Sequence, residues 1–165
     1  MGDATSDPTP PSGRLAAAAT FAVLFVPVTA LRAGAGDYTL LMPWGFLNTA
    51  PLDPDRTLHV YTVASYFLDG PPVAALPRSI TVWPVALACH LLAAGSAAAG
   101  ALFGREDRRV TGGLLVLAAV GSAWVAVGVG ARGGSALAAP PLGAAVTLGV
   151  AAAFYGPALR RAVAR

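Results

Sequence analysis

Residues 110–131 read VTGGLLVLAAVGSAWVAVGVGA, with no charged side chain among them. A bilayer's hydrocarbon core takes about 20 mostly apolar residues as a helix, so this run is long enough to cross one unaided. Outward from it lie three more uncharged apolar runs, Leu15–Leu31, Ser79–Gly104 and Gly133–Leu159. Every Asp, Glu and Arg falls outside the four. The pattern predicts an all-α fold, a four-helix transmembrane bundle with a partly structured external loop. The helices are expected at about 15–31, 80–103, 110–130 and 137–158, with the loop over 32–79.

Composition agrees with a lipid-embedded chain. Of 165 residues, 56% are hydrophobic and 12% charged, and the mean hydropathy is +0.65. A soluble domain carries about 25% charged residues, so too few charges remain here to cover a water-facing surface. All eleven basic residues are Arg. They gather at the ends of the apolar runs, as in Arg105, Arg108, Arg109, Arg160, Arg161 and Arg165. That is topology charge and not a nucleic-acid face. Cys89 is the only cysteine, so no intramolecular disulfide forms. It reads as a small apolar residue.

Residues 1–14 hold Pro8, Pro10, Pro11 and Gly13 and read as a disordered cytoplasmic tail. Leu15–Leu31 is the shortest run, about 26 Å as a helix, and Pro27 is expected to kink its outer third. The rival reading is a cleaved signal peptide ending near Ala33–Gly34–Ala35; the acidic residues Asp3 and Asp7 in the preceding tail favour a retained helix. The long loop carries Tyr38, Trp44, Phe46, Tyr61, Tyr66 and Phe67, ring types that favour the membrane interface. Asp53–Pro54–Asp55 reads as a helix start, and Val60, Val63, Ala64, Phe67 and Leu68 fall on one helical face. An interfacial helix at about 54–68 follows, although β-branched Val60, Thr62 and Val63 leave a strand open. Arg132–Gly133–Gly134–Ser135 is expected to turn the last two helices into a hairpin, and residues 160–165 form a basic cytoplasmic tail. With Arg14, Arg105, Arg108, Arg109, Arg160, Arg161 and Arg165 inside, both termini lie in the cytoplasm and the loop lies outside.

Small residues four apart permit close helix packing. Such rows are Ser96, Gly100 and Gly104; Ala118, Ser122, Ala126 and Gly130; and Ala145, Gly149 and Ala153. Ionisable groups within spans are functional candidates, and His90 is the main one. Counted from the helix ends, His90 and Ser122 lie about 13 Å deep, with Thr147 at similar depth. They are expected to form a polar layer that holds the helices together; a substrate or proton site is the sharper alternative. No carboxylate is expected inside the bundle, so an ion-coupled pump is disfavoured. His59 and His90 lie in different layers and no ligand set for a metal assembles. In the loop, Asp53, Asp55 and His59 form either an acid–base or cation-binding cluster or, more simply, a capping Asp53, a dipole-compensating Asp55 and a solvated His59. Arg78, just before a span, is placed to snorkel or to pair with Asp69.

The runs Leu41–Met42–Pro43–Trp44–Gly45–Phe46–Leu47–Asn48–Thr49 and Leu76–Pro77–Arg78, followed by Trp83–Pro84, resemble an uncharacterised family of small multi-pass membrane proteins from halophilic archaea. The resemblance implies membrane residence, no assigned activity, and Pro43, Trp44, Gly45, Pro77 and Arg78 as parts of the family pattern. Physically, Pro43–Trp44–Gly45 suits a tight turn at the interface. The sequence therefore predicts a multi-pass protein of the cell membrane, a structural or accessory subunit, leaning away from an enzyme. No catalytic residue, cofactor or metal is expected. The expected partners are the lipid bilayer and another membrane protein, and no nucleic acid. A small transporter or channel-like component, and a membrane-embedded enzyme acting on a lipid or surface precursor, are the alternatives.

Overall fold

A computed structural model of the chain describes residues 13–33, 37–49, 58–70, 72, 74, 76–131 and 140–164. It is mostly helical but not all-α. Helix α1 (Gly13–Ala22) is followed by a 3-10 turn, Val23–Phe25. Four strands come next: β1 (Thr29–Ala33), β2 (Asp37–Met42), β3 (Gly45–Asn48) and β4 (His59–Thr62). The remaining helices are α2 (Val63–Leu68), α3 (Arg78–Thr81), α4 (Trp83–Phe103), α5 (Arg108–Gly130), α6 (Leu142–Val150) and α7 (Gly156–Val163). A π-helical turn, Ala151–Tyr155, joins the last two.

Among the described residues three helical stretches are long and apolar enough to cross a membrane: Arg78–Phe103, Arg108–Gly130 and Leu142–Val163. They match the second, third and fourth predicted helices. Asp107 starts α5, its carboxylate accepting the Arg109 N–H at 2.9 Å. Gly104, in the left-handed region, ends α4. The predicted turn at Arg132–Ser135 and the beginning of the fourth helix at 137–139 lie outside the described residues, as does most of the N-terminal tail.

The first apolar run departs from expectation. It is not a single helix over 15–31. Pro27 bars the preceding residue from helical geometry, and Val26 is extended at φ −87°, ψ 125°. The helix stops at Phe25, and the chain continues as β1.

The stretch expected as an external loop is the second departure. The strands form an antiparallel meander in the order β1-β2-β3-β4. Leu41 faces Phe46 across β2 and β3, and Phe46 faces Tyr61 across β3 and β4. The predicted interfacial helix survives only as α2, because His59–Thr62 is a strand. The β-branched residues decide this: they fit a half-buried pleated surface better than a helix. Thr62 and not Asp53 caps α2, in a reciprocal capping box with Ser65, both bonds at 3.0 Å. Asp53 and Asp55 lie outside the described residues.

Two apolar clusters stack along the bundle. At the sheet end, Val28, Leu41, Val63, Ile80, Trp83 and Val125 pack together. At the other end Ala16, Val23, Ala93, Leu115, Ala151 and Tyr155 do so. Glycines set the spacing: a Cβ on Gly121 would stand 2.9 Å from the Ala86 Cβ, and one on Gly143 the same distance from Val28. The row on α5 is used as expected, with Ala118, Ser122 and Ala126 buried. The row Ala145, Gly149 and Ala153 instead faces outward, and Gly143, Ala144, Thr147 and Ala151 are the buried positions.

Candidate functional site

Three polar or aromatic centres stand out, one at each end of the bundle and one between. The middle one contains the sequence candidates. His90 and Thr147 are buried on α4 and α6, with Nε2 3.5 Å from the threonine hydroxyl. The Nδ1 atom lies 2.9 Å from the Ala86 carbonyl. A carbonyl only accepts, so Nδ1–H donates and Nε2 is left to accept from Thr147. Ser122 is buried on α5. The contact at 3.5 Å is at the outer limit of a hydrogen bond. This centre ties α4 to α6 and presents no pair of groups in tight contact.

The second centre, at the α4–α5 turn, was not found from the sequence. Thr20 Oγ1 lies 3.1 Å from the Tyr155 hydroxyl, and both residues are wholly buried. Glu106 folds back from the turn, its side chain lying against Gly100. Any Cβ at Gly100 would overlap Glu106. One carboxylate oxygen, Oε1, is buried without a hydrogen-bond partner among the described residues. Arg108 donates to the Phe154 carbonyl at 2.7 Å and lies 5.5 Å from the Tyr155 ring centre. Ser96 and Thr111 complete the layer, 2.7 Å apart. The π-helical turn belongs to it as well. Pro157 has no N–H and crowds the preceding turn, so the helix widens there and Arg108 takes up a carbonyl. No carboxylate was expected inside the bundle; Glu106 stands at its α4–α5 end, with its side chain turned back against Gly100. Its flanking charges, Arg105, Asp107, Arg108 and Arg109, hid it as one more polar linker residue. Gly100 on the facing helix is the one signal that marks room for it.

The third centre is at the sheet end. Pro43–Trp44 makes the predicted tight turn between β2 and β3. Its anchor is a different indole: Trp83 Nε1 donates to the carbonyls of Met42 at 3.2 Å and Pro43 at 3.0 Å. Trp44 contributes its carbonyl, which accepts from the Val63 N–H at 2.9 Å. Gly45 is required because a Cβ would collide with the Tyr61 carbonyl. Phe46, Tyr61, Tyr66, Phe67 and Trp83 form a continuous aromatic cluster. Phe46, Tyr61, Tyr66, Ser65, Asp69 and Gly70 line a half-open cavity of about 330 Å³. His59 opens β4 opposite Asn48, and its Nε2 is buried without a hydrogen-bond partner among the described residues. Arg78 opens α3 with its side chain exposed.

Among the described residues no three His, Cys, Asp or Glu side chains come together as a metal site requires. The model of the Domain of unknown function (DUF8050) family matches residues 2–165. The chain belongs to this family. No curated protein and no solved structure matches it. The match spans the residues of both the bundle and the sheet layer. The family carries no activity to assign to His90, Glu106 or the aromatic cavity.

Proposed function

We propose that this DUF8050 chain is an integral protein of the cell membrane with four crossings and both termini cytoplasmic, and that it serves as a structural or accessory subunit whose outer sheet docks another membrane protein. The observation that carries membrane residence is the distribution of side chains on the long helices. Leu117 is 60% and Trp124 58% exposed, while Thr111 and Thr147 are buried at 0% and 1%. Water would reverse that choice; lipid, as apolar as leucine, rewards it.

The first crossing is half-helical on this reading. Gly13–Phe25 supplies about 20 Å of helix and Val26–Val28 about 10 Å of extended chain, together the thickness of a hydrocarbon core. The segment runs along the last long helical stretch: Thr20 meets Tyr155 near one end, and the Val28 carbonyl accepts from the Gly143 N–H at 3.3 Å at the other. Unwound backbone is tolerated at membrane depth where protein covers it, and Val28 and Thr29 are buried. Arg14, Arg105, Arg108, Arg109, Arg160 and Arg161 then share the α4–α5 end, with Arg32 and Arg78 at the sheet end. The positive-inside bias makes the first of these cytoplasmic. Exposed Tyr38, Leu58, Val60 and Leu68 give the sheet layer an apolar outer surface for a partner. The resemblance to haloarchaeal membrane proteins supports the same reading.

The test is thiol labelling of the full chain in intact cells, in a Cys89→Ala background. Thr49→Cys is expected to react with an impermeant reagent, and Arg14→Cys and Ala164→Cys only after permeabilisation. Labelling of Arg14→Cys from outside refutes the first crossing. Release of the chain by alkaline carbonate refutes membrane residence. Failure to retain any membrane protein after crosslinking through Val60→Cys refutes the docking role.

A further inference from the structure

We infer that the groove between α5 and the widened turn of the last helical stretch seats one anionic phospholipid, its acyl chain along the groove and its phosphate on Arg160. The inference rests on the membrane residence proposed above. Among the described residues the groove is lined by Val116 of α5, Leu148 of α6, Ala151 and Ala152 of the π-helical turn, and Gly156 and Leu159 of α7. Arg160, exposed, closes the lining at one end. The volume is about 560 Å³. Small residues make it: the helix widens just where Ala151, Ala152 and Gly156 bring no bulk. Gly156 is in ordinary helical geometry at φ −50°, ψ −45°, and a Cβ built on it meets nothing within 4 Å.

Dimensions select the occupant. Leu148 and Arg160 are twelve residues apart, about 18 Å along the axis. One leaflet is half of a hydrocarbon core about 30 Å thick, so the groove runs from a charged boundary to mid-membrane. Over that length its volume leaves a cross-section of about 30 Å². A helix about 10 Å across takes roughly 80 Å², so a helix from a partner or a second copy does not enter. An extended peptide is thin enough, but these walls leave its N–H and C=O groups unpaired, and lipid offers them nothing. A hydrocarbon chain has no such groups to satisfy.

Charge selects the head. Arg161 and Arg108 stand at the same end as Arg160. Arg161 Nε donates to the Pro157 carbonyl at 3.1 Å, and Arg108 to the Phe154 carbonyl at 2.7 Å. Each bond uses one of five guanidinium donors and ties the side chain to the turn. The charge balance does not depend on the lining alone. Segments 1–14, 105–109 and 160–165 together carry seven Arg and four acidic residues, Asp3, Asp7, Glu106 and Asp107. A guanidinium fork matches phosphate oxygens, and basic sites at a membrane boundary recruit anionic head groups.

The full chain in maltoside micelles is titrated with phosphatidylglycerol or phosphatidylcholine of identical acyl chains and read by native mass spectrometry. One saturable phosphatidylglycerol per chain is expected, bound at least about fivefold tighter than phosphatidylcholine. Arg160→Gln should abolish that preference. Gly156→Leu should weaken both lipids, whereas Gly95→Leu, on α4 and equally open, should weaken neither. Glycerol 3-phosphate, a head without a chain, should not compete. Equal binding of the two lipids, indifference to Arg160→Gln or to Gly156→Leu, or competition by glycerol 3-phosphate overturns the inference. So does a disulfide between two Gly156→Cys chains in membranes, in a Cys89→Ala background, which gives the groove to a second copy. If Gly156→Leu does not fold, the Arg160→Gln comparison decides alone. A chain that resists alkaline carbonate yet shows no head-group preference loses the lipid seat and keeps its membrane residence.

Discussion

Gly112 and Gly113 are adjacent on α5, and they differ only in what they face. A Cβ at Gly112 would stand 2.8 Å from the Tyr155 Cβ and 3.1 Å from the Leu159 Cγ; at Gly113 nothing lies within 4 Å. Alanine at either position gains about 0.8–1.0 kcal/mol of helix propensity. At Gly113 that gain is expected to be the whole effect. At Gly112 the two Cβ atoms cannot both stay, and the shift of α5 against the widened turn costs about 1–3 kcal/mol. The propensity gain is common to both, so the difference between the variants isolates the packing term at about 1–3 kcal/mol. For a chain of this size about 2–4 °C accompanies each kcal/mol, so Gly113→Ala should melt on the order of 5 °C above Gly112→Ala. The assay is thermal unfolding of the full chain in maltoside micelles, followed by circular dichroism and by fluorescence-detected gel filtration. Equal melting temperatures would refute the reasoning, because α5 could not then lie against Tyr155 as the structure has it.

Trp83→Phe keeps a ring in the aromatic cluster but removes the N–H shared by the Met42 and Pro43 carbonyls. It is expected to cost about 1–3 kcal/mol, with amide exchange accelerating in residues 37–49 and unchanged in 108–130; uniform acceleration argues against a local anchor. Thr20→Val and Tyr155→Phe should couple in a double-mutant cycle by about 0.6 kcal/mol and at most about 1.7. Zero coupling would mean that α1 does not meet the π-helical turn.

The long helices were legible in the sequence because an uncharged apolar run of about 20 residues, the length a membrane crossing takes, reads as one helix. Residues 110–131 are such a run, and α5 is there. The burial of Ser122, Thr147 and His90 was legible because sparse polar groups on otherwise apolar helices turn toward neighbouring helices. The sheet was not legible. Its strands hold His59–Val60–Tyr61–Thr62, where a helical face and a pleated one use the same residues, and the outcome depends on Phe46 across the ladder. Residues 32–78 also looked like a loop because helical spans set the frame around them. Leu15–Leu31 was misread in its outer third for a local reason, as Pro27 was given the role of kinking a helix that it in fact ends. Glu106 was missed because Gly100, the one signal of room for it, read as part of a helix-packing row with Ser96 and Gly104.

These errors have a common structural consequence. Had Pro27 merely kinked a helix, residues 32–78 would hang from two helix ends. Instead the chain leaves the bundle already extended at Val26, makes a 2.6 Å bond from the Val28 N–H to the Leu41 carbonyl, and enters β1 with no intervening linker. At the far side β4 passes directly into α2, and the Trp83 indole grips the β2–β3 turn from the first turn of α4. The sheet is therefore held at its beginning, its middle and its end by the helices below it. Val28, Leu41, Val63, Trp83 and Val125 come from all of these segments and share one core. A layer fixed at three points loses little further entropy when a ligand or partner binds it. That is the physical reason to look for function on the sheet side, in side chains whose geometry the bundle has already set.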